Sequence, residues 1–244
     1  MRIDKYMVEE GLAVSRAKAQ QMLKSGAVSV DGALVNKPSF EVEDGATVAV
    51  RENPLQRYVG RGGLKLEAAL DAFSLSPLGQ VALDVGASSG GFTDCLLQRG
   101  AAYVYAVDAG SGQLHPDLLA DSRVCSMENC NARYLSPAMF PRTPSFAVMD
   151  VSFISQTLIL PAIKEVMTEG GVLVSLVKPQ FELGRSALGK GGIVKDERLA
   201  RRALLNVQSF AVSLGFTLIG DIPSPIRGGD GNLEFLTVLS LPSK

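Results

Sequence analysis

Cysteine and histidine are scarce in this 244-residue chain: three cysteines, Cys95, Cys125 and Cys130, and one histidine, His115. No CxxC pair occurs and His115 stands alone, so no metal site is expected. An odd, sparse set of cysteines suits a reducing compartment and not a disulfide scaffold. Long apolar runs are missing as well. Stretches such as Val172–Val177 fall far short of the roughly 20 residues that a membrane helix needs. The opening segment, MRIDKYMVEEGLAV, is charged throughout and lacks an apolar core, which argues against a signal peptide. These absences point to a soluble cytoplasmic protein with no membrane insertion. Excess charge is also lacking: 24 Lys+Arg stand against 25 Asp+Glu, for a formal net charge of -1. Any nucleic-acid partner must therefore be argued from local clusters. No internal repeat or low-complexity tract occurs.

What is present is core-forming. Hydrophobic residues make up 46% of the chain, and the length fits a medium domain plus a small one. Residues 1–50 read as a compact α+β unit. Asp4 is placed to cap a first helix, with Met7, Leu12 and Val14 as its apolar positions. Ser15 is placed to cap a second, Arg16–Ser25, which Gly26 ends. Val28–Val30 and Ala33–Val35 flank Asp31-Gly32, a hairpin signal, and Thr47–Val50 supplies a last strand. Residues 51–63, RENPLQRYVGRGG, read as a basic linker. From residue 64 to 244, apolar runs Val81–Val85, Val104–Val107, Phe146–Met149 and Val172–Val177 alternate with helical stretches. That alternation predicts an α/β domain, a parallel sheet with helices on both faces. Phe216–Ile222 and Leu233–Ser240 add two further strands.

Within the first unit, Arg16, Lys18 and Lys24 lie on the second helix, with Arg16 and Lys24 on one face. Solvated surface charge explains them as readily as a ligand does. The order of motifs adds more: R-x-D near the start, S-R-x-x-A-x-x-x-x-x-x-G-x-V in the middle and V-D-G-x-x-V-x-K-P at the end. This pattern resembles the S4 domain, a small RNA-binding module. The resemblance implies RNA contacts from Arg2, Lys5, Arg16, Lys18, Lys24 and Lys37, since cations on a rigid helix neutralise phosphates. Arg51, Arg57 and Arg61 of the linker, with Tyr58, are placed to track RNA onward; a plain tether is the alternative.

The most informative stretch is Val81-Ala82-Leu83-Asp84-Val85-Gly86-Ala87-Ser88-Ser89-Gly90-Gly91-Phe92-Thr93. A strand runs into a turn of small residues and then into a helix. Small residues let a ligand approach the backbone, and a helix N-terminus offers unpaired N–H groups. The spacing is G-x-x-x-G-G, not the GxGxxG of a dinucleotide site. An acidic residue precedes the glycines. Both features suit S-adenosylmethionine (SAM), which has no pyrophosphate but carries an ammonium and a carboxylate. Asp84, Gly86, Ala87, Ser88, Gly90, Gly91 and Phe92 are thus candidate cofactor residues. Asp108, ending the second strand, is placed to accept the ribose hydroxyls. Glu128, Asn129 and Asn131 follow the third strand on the adenine side.

Four further charges have unusual settings. Lys65 starts the first helix of the large domain, Asp150 and Lys178 end apolar strands, and Glu234 begins the last one. By residue type alone, a structural ion-pair cluster is an equal alternative. In order along the chain, G-R-G-G-L-K-L, D-V-G-A-S-S-G-G-F-T, A-V-D-x-G-x-G-Q-L, N-A-R, M-D-V-S-F-I-S, V-K-P-Q-F-E and G-N-x-E-F-L resemble the TlyA (haemolysin A) family. That family joins an S4 domain to a Rossmann-like, SAM-dependent methyltransferase domain of FtsJ/RrmJ type. The resemblance implies 2'-O-methylation of ribosomal RNA at cytidine, on free RNA or ribosomal subunits. It also implies a Lys-Asp-Lys-Glu catalytic set at Lys65, Asp150, Lys178 and Glu234, with Asp150 also close to the cofactor methyl. Lys178 is the candidate base, oriented by Asp150, while Glu234 holds Lys65 or the ribose. Two alternatives are a non-catalytic RNA-binding assembly factor and a haemolysin acting on membranes. The complete tetrad weighs against the first, and the lack of a membrane helix or basic amphipathic segment against the second. No N-P-P-Y or D-P-P-Y stretch of amino-group methyltransferases occurs.

Overall fold

The computed structural model describes residues 1–13, 15–24, 26–50, 57–194 and 196–243. They form two compact units, Met1–Arg57 and Tyr58–Lys244.

The smaller unit holds α1 (Ile3–Glu9), α2 (Arg16–Lys24), β1 (Val28–Val30), β2 (Ala33–Leu34) and β3 (Val48–Val50). β1 is the central strand, antiparallel to both others. Ile3, Met7, Ala19, Leu23 and Val28 fill the core beneath the sheet. The β1–β2 turn has φ 48° at Asp31 and φ 81° at Gly32. Two successive positive φ angles match the right-handed twist of a hairpin, and Asp-Gly adopts them at low cost. Ser15 Oγ caps α2, accepting from Lys18 N at 3.2 Å. Asp4 does not cap α1. Arg2 occupies that position with no side-chain bond. Asp4 is instead fully buried and accepts from Arg2 at 3.2 Å, Arg16 at 2.8 Å and Gln20 at 3.0 Å. A carboxylate is tolerated inside because it is paired and hydrogen-bonded. The Arg16 hydrogen bond, above all, holds it well below the usual carboxylate range. Val14 and Arg51, named above, lie outside the described residues.

The larger unit runs α3 (Gly62–Ala72), β4 (Val81–Val85), α4 (Gly91–Gln98), β5 (Tyr103–Val107), α5 (Pro116–Leu119), β6 (Val124–Met127), β7 (Phe146–Met149), α6 (Leu160–Val166), β8 (Val172–Val177), α7 (Pro179–Glu182), α8 (Glu197–Ser213), β9 (Thr217–Pro223) and β10 (Phe235–Ser240). The seven-stranded sheet has the order β6-β5-β4-β7-β8-β10-β9. β4 to β8 are parallel, and β10 is antiparallel to both β8 and β9. Central strands read as near-continuous apolar runs, broken only by the buried Asp84 and Ser175, because both faces are covered. Leu83, Val85, Met149 and Val177 pack toward α6 and α8, while Ala82, Phe146, Val148 and Val174 pack toward α3 and α4. α8 buries Ala200, Ala203, Leu204, Val207 and Ala211, the stripe of a 3.6-residue period, and Asp196 caps it at Leu199 N, 2.8 Å.

The expected linker over 51–63 ends earlier than the composition suggests. Tyr58 is buried with Leu66, Leu70 and Leu96. Gly63 lies against its ring, where a Cβ would come within 2.2 Å. Residues 58–63 therefore belong to the larger unit, because an aromatic side chain anchors them in its core.

Candidate active site

The strand order reverses between β4, with β5 on one side, and β7 on the other. Open α/β sheets leave a crevice at that point, beyond the carboxyl ends of the strands. Here β4 ends in the glycine-rich turn, with φ 85° at Gly86, 48° at Ser88 and 93° at Gly90, before α4 begins at Gly91. Gly86 N donates to Val107 O at 2.8 Å, tying the turn to β5. A Cβ on Gly86 would stand 2.3 Å from the Asp150 carbonyl oxygen, and one on Gly91 would stand 3.0 Å from Gly60 O. The turn is thus pressed between the end of β7 and the Gly60–Gly63 segment; only glycine fits at Gly86, and a larger residue at Gly91 would push the Gly60–Gly63 backbone outward.

Two adjoining cavities open there. One, of about 460 Å³, runs from Asp108 past Cys130–Arg133 to Asp150–Ile154. The other, of about 190 Å³, is bounded by Gly60–Gly62, the Gly86–Phe92 turn, Ser152 and Lys178. They share Gly86, Ser88, Asp150 and Ser152. The larger has the size of a small-ligand pocket.

Three carboxylates stand at this end of the sheet. Asp84 is fully buried; Thr93 Oγ1 donates to its Oδ2 at 2.6 Å, while its Oδ1 has no hydrogen-bond partner. Burial pushes Asp84 up to about 7; the Thr93 bond opposes this, and the Asp150 and Asp108 charges reinforce it. Asp108 accepts from Ser88 N and Gly110 N, both at 2.7 Å. Asp150 lies between the two cavities.

The four expected catalytic residues divide into two ion pairs. Lys178 Nζ is 2.6 Å from Asp150 Oδ1 and donates to Ser152 Oγ at 2.9 Å. The Lys178–Asp150 contact is a short charge pair without hydrogen-bond alignment, so this buried oxygen retains unused acceptor capacity. Lys65 pairs with Glu234, both almost wholly buried. The antiparallel register explains the gathering. Phe235 pairs with Val177, so Glu234 and Lys178 leave the sheet at the same end. Only the Lys178–Asp150 pair lines the cavities; the other pair lies among the buried residues.

Not every expected cofactor residue faces the cavities; Asp84, fully buried beneath the turn, lines neither. Gly86, Ala87, Ser88, Gly91, Phe92, Asp108, Asn131 and Asp150 line one or both. Glu128 instead accepts from Gly112 N at 2.8 Å and shapes the Gly110–Gly112 loop. Asn129, at φ 53°, is exposed and outside the lining. Gly90 is packed beneath Leu114 and Leu118. Lining residues to which sequence reasoning gave no role are Gln113, Ser152 and Phe153. Ser152 and Phe153 lie in the M-D-V-S-F-I-S motif, which was the available signal. Phe153 is 90% exposed at φ 64°, with its ring 5.0 Å from that of Phe181.

In the smaller unit, Arg2 and Arg16 converge on Asp4 while remaining about half exposed. Lys5 pairs with Glu9 at 3.4 Å. Lys24 and Lys37 are exposed, and Lys18 is half-buried. In the larger unit Arg61 lines the smaller cavity. Arg57 is exposed. Among the described residues no cluster could hold a metal ion, and no helix is long and apolar enough to cross a membrane.

Comparison with known proteins agrees with this division. A family model described as FtsJ-like methyltransferase matches residues 58–241, and one for the S4 domain matches residues 1–48. The chain is 42% identical to the 16S/23S rRNA (cytidine-2'-O)-methyltransferase TlyA of Mycobacterium tuberculosis, over 96% of this chain and 87% of that one. It is 43% identical to Hemolysin A of Brachyspira hyodysenteriae, over 97% and 98%. A solved structure from Streptococcus thermophilus, described as a candidate hemolysin, superposes with a TM-score of 0.77 at 45% identity, covering 100% of this chain and 89% of that one.

Proposed function

The chain belongs to the FtsJ-like methyltransferase family, with an S4 domain ahead of the catalytic unit, and on that premise we propose that it transfers a methyl group from SAM to a ribose 2'-hydroxyl of cytidine in ribosomal RNA. The observation that carries the reading is the Lys178–Asp150 pair on the wall where the two cavities meet. The relative named an rRNA (cytidine-2'-O)-methyltransferase supports the choice of acceptor.

The residues present fit the cofactor. Asp84 has an orphaned buried oxygen suited to an ammonium group, and the Gly86–Gly91 turn admits a ligand against bare backbone. Asp108 would bind the ribose hydroxyls, and Cys130–Arg133 would wall the adenine side. Bound SAM supplies an electrophilic methyl carbon on a sulfonium. Lys178 is the group placed to receive the proton of the attacking 2'-hydroxyl. Asp150 and Ser152 fix the Lys178 side chain. Lys65 and Glu234 stiffen the site from behind. Phe153 offers an exposed aromatic face beside the cleft, suited to stacking an unpaired base. Arg2, Lys5, Arg16, Lys18, Lys24, Lys37, Arg57 and Arg61 are the proposed phosphate contacts, and an rRNA substrate places the enzyme in the cytoplasm.

The test is tritiated methyl transfer from SAM onto purified 16S and 23S rRNA and onto ribosomal subunits, followed by mapping of the labelled nucleotide. The wild type should label a single cytidine class, at an alkali-resistant linkage. Lys178→Ala should bind SAM as the wild type does and transfer nothing. Absence of label in every RNA, or full turnover by Lys178→Ala, overturns the proposal.

A further inference from the structure

The turn between β9 and β10 carries Arg227-Gly228-Gly229-Asp230-Gly231-Asn232, a charged, glycine-rich segment to which methyl transfer assigns no task. It is firmly held at its base. Asn232 is 2% exposed; its Oδ1 accepts from Val194 N at 2.9 Å, and its Nδ2 donates to Gly192 O at 3.2 Å. Gly228 N donates to Asn232 O at 3.0 Å, and Gly231 N to Gly228 O at 2.9 Å. Gly228 also lies on Glu234, where a Cβ would stand 2.5 Å from Oε1. The turn is therefore fixed to the carboxylate that pairs with Lys65.

Its outer end faces solvent. Arg227, Gly229 and Asp230 are exposed. Arg227 Nη1 donates to Gly231 O at 3.1 Å. That bond uses one of five guanidinium donors and sets the direction of the rest. No carboxylate pairs with Arg227 among the described residues. Close by stands Arg61: a Cβ on Gly229 would be 3.6 Å from its Nη2. Arg61 also lines the smaller cavity, as Lys178 does. Two residues of chain span at most about 7 Å. The Arg227 backbone thus lies within that distance of Gly229 and within about 12 Å of the Arg61 guanidinium beside it, a gap that two extended arginine side chains can close around one phosphate.

We propose that Arg227 joins Arg61 in a two-guanidinium cradle for the RNA phosphate next to the acceptor ribose. The inference rests on the RNA-methylating reading above. Guanidinium groups bind phosphate oxygens through paired N–H donors and stay charged at every working pH. A phosphate held there fixes the register of the ribose without reading the base. Asp230, on the same turn, opposes the phosphate and sets an upper limit on affinity.

The test measures binding of the full chain to 16S rRNA, 23S rRNA and a random-sequence transcript between about 50 and 200 mM salt. Arg227→Gln removes the charge but keeps an N–H donor for Gly231 O. It should bind all three RNAs about 3- to 10-fold more weakly at low salt, with the log–log salt slope reduced by about 0.7 to 0.9. Asp230→Asn should tighten binding by a similar factor, and both effects should shrink at high salt. The Kd for S-adenosylhomocysteine should not move in either variant. Wild-type affinity and slope in Arg227→Gln would overturn the proposal. So would rescue by Gln of a loss seen in Arg227→Ala, or an effect confined to one RNA. Should the wild type bind RNA and transfer no methyl group, the enzymatic reading fails separately, and the slope still decides whether Arg227 meets a phosphate.

Discussion

Asp84 makes the stability of the catalytic unit depend on pH in a direction opposite to that of an ordinary paired carboxylate. It is fully buried, one oxygen is held by Thr93, and burial pushes it up to about 7 from 3.8. In the unfolded chain it titrates near 3.9. Between about pH 4 and 7 the folded state therefore binds the extra proton, and stability falls as pH rises through that window. Below about pH 4 both states are protonated and the contribution is fully present. Above 7 it is lost, at a cost of about 4 kcal/mol for a shift of roughly three units. Asp84→Asn removes the titration and keeps an acceptor for Thr93 Oγ1. In a domain of 150–250 residues each kcal/mol moves Tm by about 2–4 °C. The variant should therefore melt on the order of 10 °C above the wild type at pH 8 and only about 3–6 °C above it at pH 5, where roughly one unit of the window has been crossed. Calorimetric melts of the full chain at pH 5, 6, 7 and 8 read this directly. S-adenosylhomocysteine, whose ammonium compensates the ionised carboxylate, should flatten the wild-type dependence and bind Asp84→Asn less tightly at pH 8. A wild-type-to-variant Tm difference that stays constant from pH 5 to 8 would refute the reasoning.

Other perturbations separate the two units. Gly86→Ala sets a Cβ 2.3 Å from the Asp150 carbonyl at φ 85°; it should lower turnover at least 100-fold, measured with cofactor affinity by titration calorimetry. Asp4→Ala removes the carboxylate shared by Arg2, Arg16 and Gln20; the arginines left behind are half exposed, so the cost is that of the lost charged hydrogen bonds, about 1.5–3 kcal/mol. A unit of some 50 residues has little reserve, so RNA affinity should collapse while S-adenosylhomocysteine binding persists. Because its folded pKa is depressed, Asp4 contributes stability that is present above about pH 4 and is lost as pH falls further, visible as acid-sensitive melting of the smaller unit.

Much of the fold was readable because its determinants are local. Apolar runs marked four of the five parallel strands, β6 with its Cys125 and Ser126 being the exception, and Asp31-Gly32 marked the hairpin. The small-residue turn after β4 marked a ligand site, since few other reasons place Gly86, Gly90 and Gly91 between a strand and a helix. Where the reading missed, long-range packing decided. Asp4 has the right type and place for a helix cap, but Arg16 and Gln20 approach from the next helix and draw it inward. The segment Tyr58–Gly63 has linker composition, but the core takes up the Tyr58 ring.

By itself the sequence determined the elements, the two-part organisation and the residue types able to do the chemistry, because periodicity, turn preference and charge reside in the chain. Only the tertiary structure decided how the charges pair. Lys65 and Glu234 lie 169 positions apart, and β10 had to insert antiparallel beside β8 before Glu234 reached the end of the sheet where Lys178 stands. Strand register is set by burying the apolar faces of the whole sheet at once, a condition that no local segment carries.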